Sequence, residues 1–532
     1  MWTSPLHVGC LTYQWSASSQ SSTVTTIFYW GAGLRRHKTH LIIGYFSRVL
    51  EGRVYPAQLA GFARATMLTV TPTPSSPSVA THRAKSLFTA DVVIVGAGPA
   101  GAAAGYWAAK AGMDALIVDM AELPDLQPDS TAPTRGRDKT CGDGLTPRAI
   151  KALAEMDALH ILEGRPEIDG LKLHGFGGSI TAPWPEGSFP TRGSAIPRSE
   201  LDVALLHHAV RAGARAVGSV KLLDATLDTP HSITQLSGVN GQGEPVVVRG
   251  KHYLLAEGVR GGISRQVGVR WLREMVHGVA ARSYVDTPRG TEPWIHSHLE
   301  LRDENGVAQP GYGWVFPLGE GAAGDGVGPR ANLGCGALTT SARPAKVNTK
   351  KLLHHYANQI RDEWQCGQPQ AVTSALLPMG GAVTRVAGVN WATLGDTAAL
   401  INPLNGEGID YALESAQLVV GLLADATRNA DGLRFVWPND LREHYGAAFS
   451  LARRLAIGLT MPGLMSVIGP LGMRGPLSPY LMGSAARLMG NLVTPEDADL
   501  TARVWRGVGG LSRGADRLLA ADSRPLFGTE MR

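Results

Sequence analysis

Cysteine is scarce in this chain. Four are spread over 532 residues (Cys10, Cys141, Cys335, Cys366), with no C-x-x-C pair and no metal-ligand spacing. That spacing excludes a disulfide framework and a cysteine-bound metal, and it fits a reduced compartment. No basic-then-apolar leader opens the chain; its early apolar patches are broken by Gln14, Arg35, Arg36 and His40. Excess charge is also missing from most of the sequence. Residues 1–90 carry eight Lys/Arg and one acid, Glu51, which leaves 42 basic and 44 acidic side chains on residues 91–532. The overall +5 therefore belongs to the N-terminal segment. The remainder has no general attraction for polyanions, and no nucleic-acid-binding module is present.

What the chain has in abundance is glycine, 65 residues, with 44% hydrophobic and 18% charged content. This is the composition of a globular protein with many tight turns. Residues 1–89 stand apart. They show no sustained period and end in a Pro/Ser/Thr-rich linker over 69–78, with Met67 as a candidate alternative start. They are expected to be disordered or non-native.

From Ala90 the pattern changes. Asp91–Val95 predicts a buried parallel strand, followed by a glycine turn, an Ala-rich helix to about Ala111, and a second strand Ala115–Val118 ending at Asp119. Gly96-Ala97-Gly98-Pro99-Ala100-Gly101 fits G-x-G-x-x-G within this βαβ unit. Gly96 permits the turn, Gly98 lets the backbone approach a pyrophosphate, and Gly101 allows close helix–strand packing. The helix N-terminus offers free N–H groups to phosphates, and Asp119 is placed to accept from a ribose. Two remote elements favour FAD over NAD(P). Pro197-Arg198-Ser-Glu-Leu201-Asp202 opens a helix, with Arg198 suited to a flavin phosphate or the inner edge of the ring. Gly395-Asp396 ends a strand, where the Asp suits a ribityl chain, and Pro403–Gly408 leads into a helix over about 407–426 whose dipole would favour a reduced, anionic flavin.

With these elements come more specific strings: Asp138-Lys-Thr-Cys141-Gly142-Asp143-Gly144-Leu-Thr-Pro147, Pro310-Gly-Tyr312-Gly-Trp314-Val-Phe316-Pro317-Leu318, Ser374–Gly381, Asn402-Pro-Leu-Asn-Gly-Glu-Gly408-Ile409-Asp-Tyr411 and Val504–Gly507. Together they resemble the geranylgeranyl reductase family of FAD-dependent oxidoreductases, over about residues 90–515, and are closest to its bacterial branch acting on menaquinone. The resemblance implies an α/β fold: a Rossmann-type FAD-binding domain of the p-hydroxybenzoate hydroxylase-like class, an antiparallel-sheet substrate domain and a helical C-terminal region. It implies FAD held by Gly96–Ala100, Cys141–Gly144, Arg198, Asp396 and Gly408–Ile409. It also implies that Tyr312, Trp314, Phe316 and Pro317 line a prenyl-chain channel, where rigid aromatic walls suit a flexible hydrocarbon; the alternative for these rings is plain core packing. FAD-binding segments are expected at 90–170, 196–270 and 386–430, substrate-domain segments at 171–195 and 271–385, and a membrane-proximal helical region at 431–532.

The implied reaction saturates an isoprenyl double bond in the tail of menaquinone, a membrane-embedded polyprenyl quinone. Cys141 is the candidate polar group beside the ring, as proton donor or merely as a small residue that fits. Reduction of geranylgeranyl lipids or diphosphates, and flavin monooxygenation on the same fold, are the alternatives. No second nucleotide site is evident for an electron donor. Three features depart from the family pattern: Glu257 where an Asp is usual, an extended loop over 123–138, and an altered segment over 319–330.

The substrate's location predicts attachment to the cytoplasmic face of the cell membrane. Residues 441–490 carry five Arg and one acid. Within them, 455–473 is an uncharged stretch of 19 residues that contains four Gly and two Pro, better suited to an interfacial hairpin than to a span.

Overall fold

The computed structural model describes residues 86–126, 136–320, 328–428, 432–461, 463–518 and 526–528, together with short strands between residues 7 and 54. Residues 1–81 and 82–532 form two separate units. In the first, His7–Ala17 and Gln20–Trp30 pair as an antiparallel hairpin, and Val49–Leu50 pairs with Arg53–Val54. The linker at 69–78 lies outside the described residues.

The second unit opens with β1 (Ser86–Val95), four residues ahead of the apolar onset at Ala90, because Ser86–Thr89 extend the parallel pairing with β8 (Pro245–Leu255). Val92, Val93 and Ile94 are fully buried, as expected of a parallel strand covered on both faces. The helix α1 (Pro99–Lys110) and β2 (Ala115–Val118) complete the βαβ unit. The small residues of α1 let it lie close on the sheet: a Cβ on Gly105 would sit 2.6 Å from Ile117 Cδ1.

Six strands run in the order β5 (Arg215–Val217), β2, β1, β8, β7 (Ser232–Asn240), β6 (Val220–Thr229), with the seventh, β14 (Trp391–Thr393), pairing parallel to the end of β8. From β1 the chain moves outward to β2, whereas β8 and β14 lie on its other side. The crevice at the carboxyl ends of β1 and β8 is thus a topological switch point, where ligands of open α/β sheets bind.

A second seven-stranded sheet runs β4 (Gly178–Pro183), β3 (Gly170–Gly175), β10 (Trp294–His298), β11 (Gly311–Glu320), β12 (Pro329–Thr339), β9 (His277–Asp286), β13 (Gln370–Pro378). All its pairings are antiparallel except β3 with β10. Strand alternation divides its faces. Ala281, Val285, Val315, Leu333 and Cys335 pack with the buried Leu352, Leu353, Tyr356, Ile360 and Trp364 of α4 (Thr349–Trp364). The opposite face carries Arg282, Tyr284, Tyr312, Trp314, Phe316 and Asn332. Part of the 319–330 segment, residues 321–327, lies outside the described residues, as do 127–135 of the long loop.

The helix α2 (Pro147–Glu155) follows the 141–144 loop, α3 (Arg198–Arg211) starts at Arg198, and α5 (Ile409–Ala424) starts directly after the glycine turn. The C-terminal region consists of α6 (Leu433–Leu459), α7 (Leu464–Met473), α8 (Ser478–Met489) and α9 (Leu500–Leu518). Leu433, Trp437, Leu441, Tyr445 and Phe449 recur every fourth residue and bury one stripe of α6 in the main core.

Candidate functional site

The glycine turn is built by contacts that admit no side chain. Gly96 has φ of +107°, and a Cβ there would lie 2.4 Å from the Ala256 carbonyl oxygen; one on Gly101 would lie 1.8 Å from the Gly96 oxygen. Gly98 differs. The nearest atoms to its missing Cβ are Arg198 Nη2 at 3.9 Å and Asp202 Oδ2 at 4.0 Å. At those distances the approach over Gly98 meets only the Arg198 and Asp202 side chains, and no side chain caps the N-terminus of α1. Pro99 and Ala100 begin that helix, both buried. Asp119 holds the turn from the end of β2: its Oδ2 accepts from the Ala97 amide at 2.8 Å and its Oδ1 from the Ala121 amide at 2.7 Å.

The remote segments converge on the same space. A Cβ on Gly395 would stand 3.2 Å from Ala100 Cβ, and one on Gly408 would stand 3.3 Å from Asp396 Oδ1. Arg198 Nε and Nη2 form a fork on Asp202, at 2.6 and 2.8 Å. This is a mostly buried pair one helical turn apart rather than a surface salt bridge. Burial pushes the Asp396 carboxyl up from its ordinary range, while the nearby Arg198 and Lys139 charges oppose that rise. An uncapped helix N-terminus, a glycine at position 98 that faces side chains and not backbone, a buried guanidinium and a buried carboxyl make a cradle that fits the pyrophosphate and ribityl groups of FAD.

The 141–144 loop joins this cradle to the substrate sheet. Asp143 takes a left-handed φ of +64°, rare for a residue with a side chain. Its fully buried carboxylate explains how the conformation is held: Oδ2 accepts from Tyr284 Oη at 2.9 Å and from Asn332 Nδ2 at 2.8 Å, and Oδ1 accepts from the Arg198 amide at 3.3 Å. Burial raises Asp143 to about 6, against the pull of Asn332, Arg282 and Tyr284. Asn332 also donates to the Cys141 carbonyl at 2.8 Å and accepts from Trp314 Nε1 at 2.9 Å. Beneath the loop, Arg282 pairs with Asp138 and donates to the Lys139 carbonyl at 2.8 Å.

Cys141 is half-buried; its Sγ accepts a long bond, 3.4 Å, from the Asp143 amide, and the Arg198 guanidinium lies close enough to interact with it. Burial pushes its thiol up, with the Arg198 charge opposing, so it is a neutral thiol at pH 7.

Tyr312, Trp314 and Phe316 form a row along β11, with ring centroids 5.9 and 6.0 Å apart. The row faces the loop: a Cβ on Gly142 would come within 2.8 Å of the Phe316 ring and 3.6 Å of Trp314 Nε1, and one on Gly144 within 2.9 Å of Phe316. Trp314 lies flat because position 334 is glycine, where a Cβ would be 2.1 Å from its indole. Tyr312 Oη donates to the Asn405 carbonyl at 2.5 Å, which ties the row to the turn before α5. Pro317 follows Phe316 directly and so lies on the other face of the strand. It is not part of the row, a correction to the four-residue channel lining.

Two departures from the family pattern resolve structurally. Glu257 turns inward to accept from the amides of Gly262, Ile263 and Ser264 at 2.7–3.0 Å, capping the short helix Ile263–Gln266. The 123–138 loop returns to the site at Gly136, whose amide donates to the Ser199 carbonyl. Asn332, Tyr284 and Arg282, which hold the 141–144 loop, carry no local motif. Only the strand alternation that places them on the site face could have drawn attention to them.

These features define a flavoprotein of the FAD-binding α/β class, and residues 89–433 match the FAD binding domain family. Over 429 residues the chain is 46% identical to the menaquinone reductase of Mycolicibacterium smegmatis, covering 80% of this chain and 98% of that protein. It is equally identical to the menaquinone reductase of Mycobacterium tuberculosis. Digeranylgeranylglycerophospholipid reductase 1 of Methanopyrus kandleri is 28% identical, over 69% of this chain and 90% of its own length. Among solved structures, a geranylgeranyl bacteriochlorophyll reductase-like protein of Thermoplasma acidophilum superposes with a TM-score of 0.59 at 20% identity, over 76% of this chain and all of the other. A flavin-dependent brominase gives 0.59 at 16%, over 81% and 98%; both show the shared fold. The chain belongs to the geranylgeranyl reductase family of FAD-dependent oxidoreductases, together with the mycobacterial menaquinone reductases.

Proposed function

We propose that this enzyme saturates an isoprenyl double bond in the tail of menaquinone. The observation that carries the reading is the aromatic row Tyr312–Trp314–Phe316, set against the Cys141–Gly144 loop of the flavin cradle. Rings fixed by Gly334, Asn332 and the Asn405 carbonyl lose little side-chain entropy when a flexible prenyl chain lies along them. The alkene has no electron-withdrawing neighbour, so the site must hold it still and dry against the cofactor. When bound and reduced, FAD supplies the hydride. The α1 N-terminus, Gly98 and Arg198 would hold its phosphates, Asp396 its ribityl chain, and the backbone of Gly408 and Ile409 the edge of its ring.

The substrate's home in a bilayer calls for contact with the lipid. Val467, Leu471, Leu477 and Tyr480 on and beside α7 and α8 are 65, 70, 68 and 64% exposed. Arg474 lies between them, and its guanidinium bonds the Phe176 carbonyl. Among the described residues no single helix is long and apolar enough to cross a membrane, and α6 and α7 meet at 112°. An exposed apolar corner with basic flanks suits shallow, monotopic attachment at the cytoplasmic face.

Mass spectrometry tests the reaction: FAD-loaded enzyme, a chemical reductant and menaquinone in vesicles should give a quinone heavier by two hydrogens. Incorporation of oxygen instead would support a monooxygenase. Turnover of geranylgeranyl lipid with menaquinone untouched would move the substrate to the archaeal-type lipids.

A further inference from the structure

Three carboxyl side chains crowd the start of α5: Glu407, Asp410 and Glu414. Only one of them is provided with counter-charge. Arg148, from α2, forks onto Glu414 with Nη1 at 2.7 and 2.9 Å from its two oxygens, and its Nη2 donates to the Asn491 carbonyl at 2.6 Å. Tyr445, from α6, also donates to Glu414, at 3.0 Å. Asp410 is 0% exposed, and neither of its oxygens makes a hydrogen bond. Glu407 accepts from Asn405 Nδ2 at 2.8 Å through Oε2, while its Oε1 is buried without a well-formed bond, the Thr146 hydroxyl being close enough to oppose the rise in its pKa.

The groups facing this pair are Arg148, Glu414, Tyr411, Tyr445 and Tyr312. Among the described residues they offer a single cation against three carboxyls, and Glu414 already occupies it. Two further buried negative charges side by side would be strongly disfavoured, and the relief is to keep a proton. Burial and then mutual repulsion accordingly push Asp410 far up; burial pushes Glu407 up to about 7. Glu407 also lies beside Tyr312 of the aromatic row, between the Asn405 carbonyl that Tyr312 grips and the Gly408–Ile409 start of α5.

We propose that Glu407 and Asp410 form a proton-holding carboxyl pair, with Asp410 permanently neutral and Glu407 giving up the proton that completes reduction of the alkene. This rests on the reading of the site as an isoprenyl reductase. In the step, a hydride with its electron pair forms one C–H bond. The π pair of the alkene then forms the second with the proton leaving the Glu407 carboxyl, which water later reprotonates. The two electrons come from the reduced flavin, and Cys141 is not required.

Infrared spectroscopy of the oxidised, FAD-loaded enzyme in H2O and D2O should show carboxylic-acid C=O bands at pH 6. One should persist to pH 8 and vanish in Asp410→Asn; the other should fade near pH 7 and vanish in Glu407→Gln. Lipid turnover should fall as pH rises through about 7. Glu407→Gln should lower kcat roughly a hundredfold with KM unchanged and abolish that limb, whereas Asp410→Asn, neutral like the native acid, should keep the limb near pH 7. Absence of both bands from the unmodified holoenzyme, or Glu407→Gln turning over with the native pH limb, overturns the proposal. The bands are read without lipid. Bands present with menaquinone unreduced would therefore fault the substrate reading, and bands absent with menaquinone reduced would fault the carboxyl pair alone.

Discussion

Replacing Asn332 by leucine probes the joint between the flavin cradle and the aromatic row. The two side chains have similar volume, so the change removes polarity with little loss of packing. Asn332 is fully buried and makes three bonds, to the Cys141 carbonyl, the Asp143 carboxylate and the Trp314 indole. In the variant the carbonyl and the indole N–H lose their partners, at about 1–3 kcal/mol each, and the carboxylate loses a charge-assisted bond worth about 1.5–3 kcal/mol. Asp143 keeps Tyr284 and the Arg198 amide, so with the low end of each range the expected loss is roughly 3.5 kcal/mol. Because the 141–144 loop is held in a strained turn by these bonds, part of the loss should appear as weaker FAD binding, at least about tenfold or ~1.4 kcal/mol. Urea unfolding of the holoenzyme and fluorescence titration of the apoprotein with FAD measure the two effects. A variant within about 1 kcal/mol of the parent, with unchanged FAD affinity, would refute the hub role assigned to Asn332.

Other consequences are as direct. Asp143 binds its proton more tightly folded than unfolded, its value rising from 3.8 to about 6. Its contribution to stability is therefore full below the unfolded value and is lost as pH climbs through 6, by about 3 kcal/mol. Asp143→Asn should flatten that part of the urea-stability profile between pH 4 and 7; parallel profiles would contradict the assignment. Gly101→Ala drives a methyl group into the Gly96 carbonyl, and purified protein should be colourless or insoluble; a yellow, stable variant would show that the turn is looser than described. Cys141→Ala removes a neutral thiol whose bond to the Asp143 amide is long and should keep turnover within about threefold, so a loss of a hundredfold would restore Cys141 as proton donor. Leu471→Glu combined with Leu477→Glu should reduce co-sedimentation with anionic liposomes while leaving bound FAD unchanged, and equal sedimentation would place the membrane contact elsewhere.

The residues alone determined the flavin half of the protein. The run Val92–Val95, the spacing of Gly96, Gly98 and Gly101, and an acid at the end of the next strand are local requirements of a strand, a phosphate turn and a helix. They are legible because each depends only on neighbours within about thirty residues. The aromatic row was legible for a similar reason: period-two spacing places Tyr312, Trp314 and Phe316 on one face, and the same rule removes Pro317 from it. Tertiary structure alone decided what holds those parts together. Asn332 meets Cys141 and Trp314 across a loop and a strand pair, and Arg148 reaches Glu414 from 266 residues away. No spacing rule encodes such partnerships, since they arise when separate segments are buried in one place. The same holds for Asp410. In the sequence it is an ordinary acid in the first turn of a helix, where a negative charge is normally welcome. Enclosure without a counter-ion, which only the fold imposes, turns it into an acid that keeps its proton.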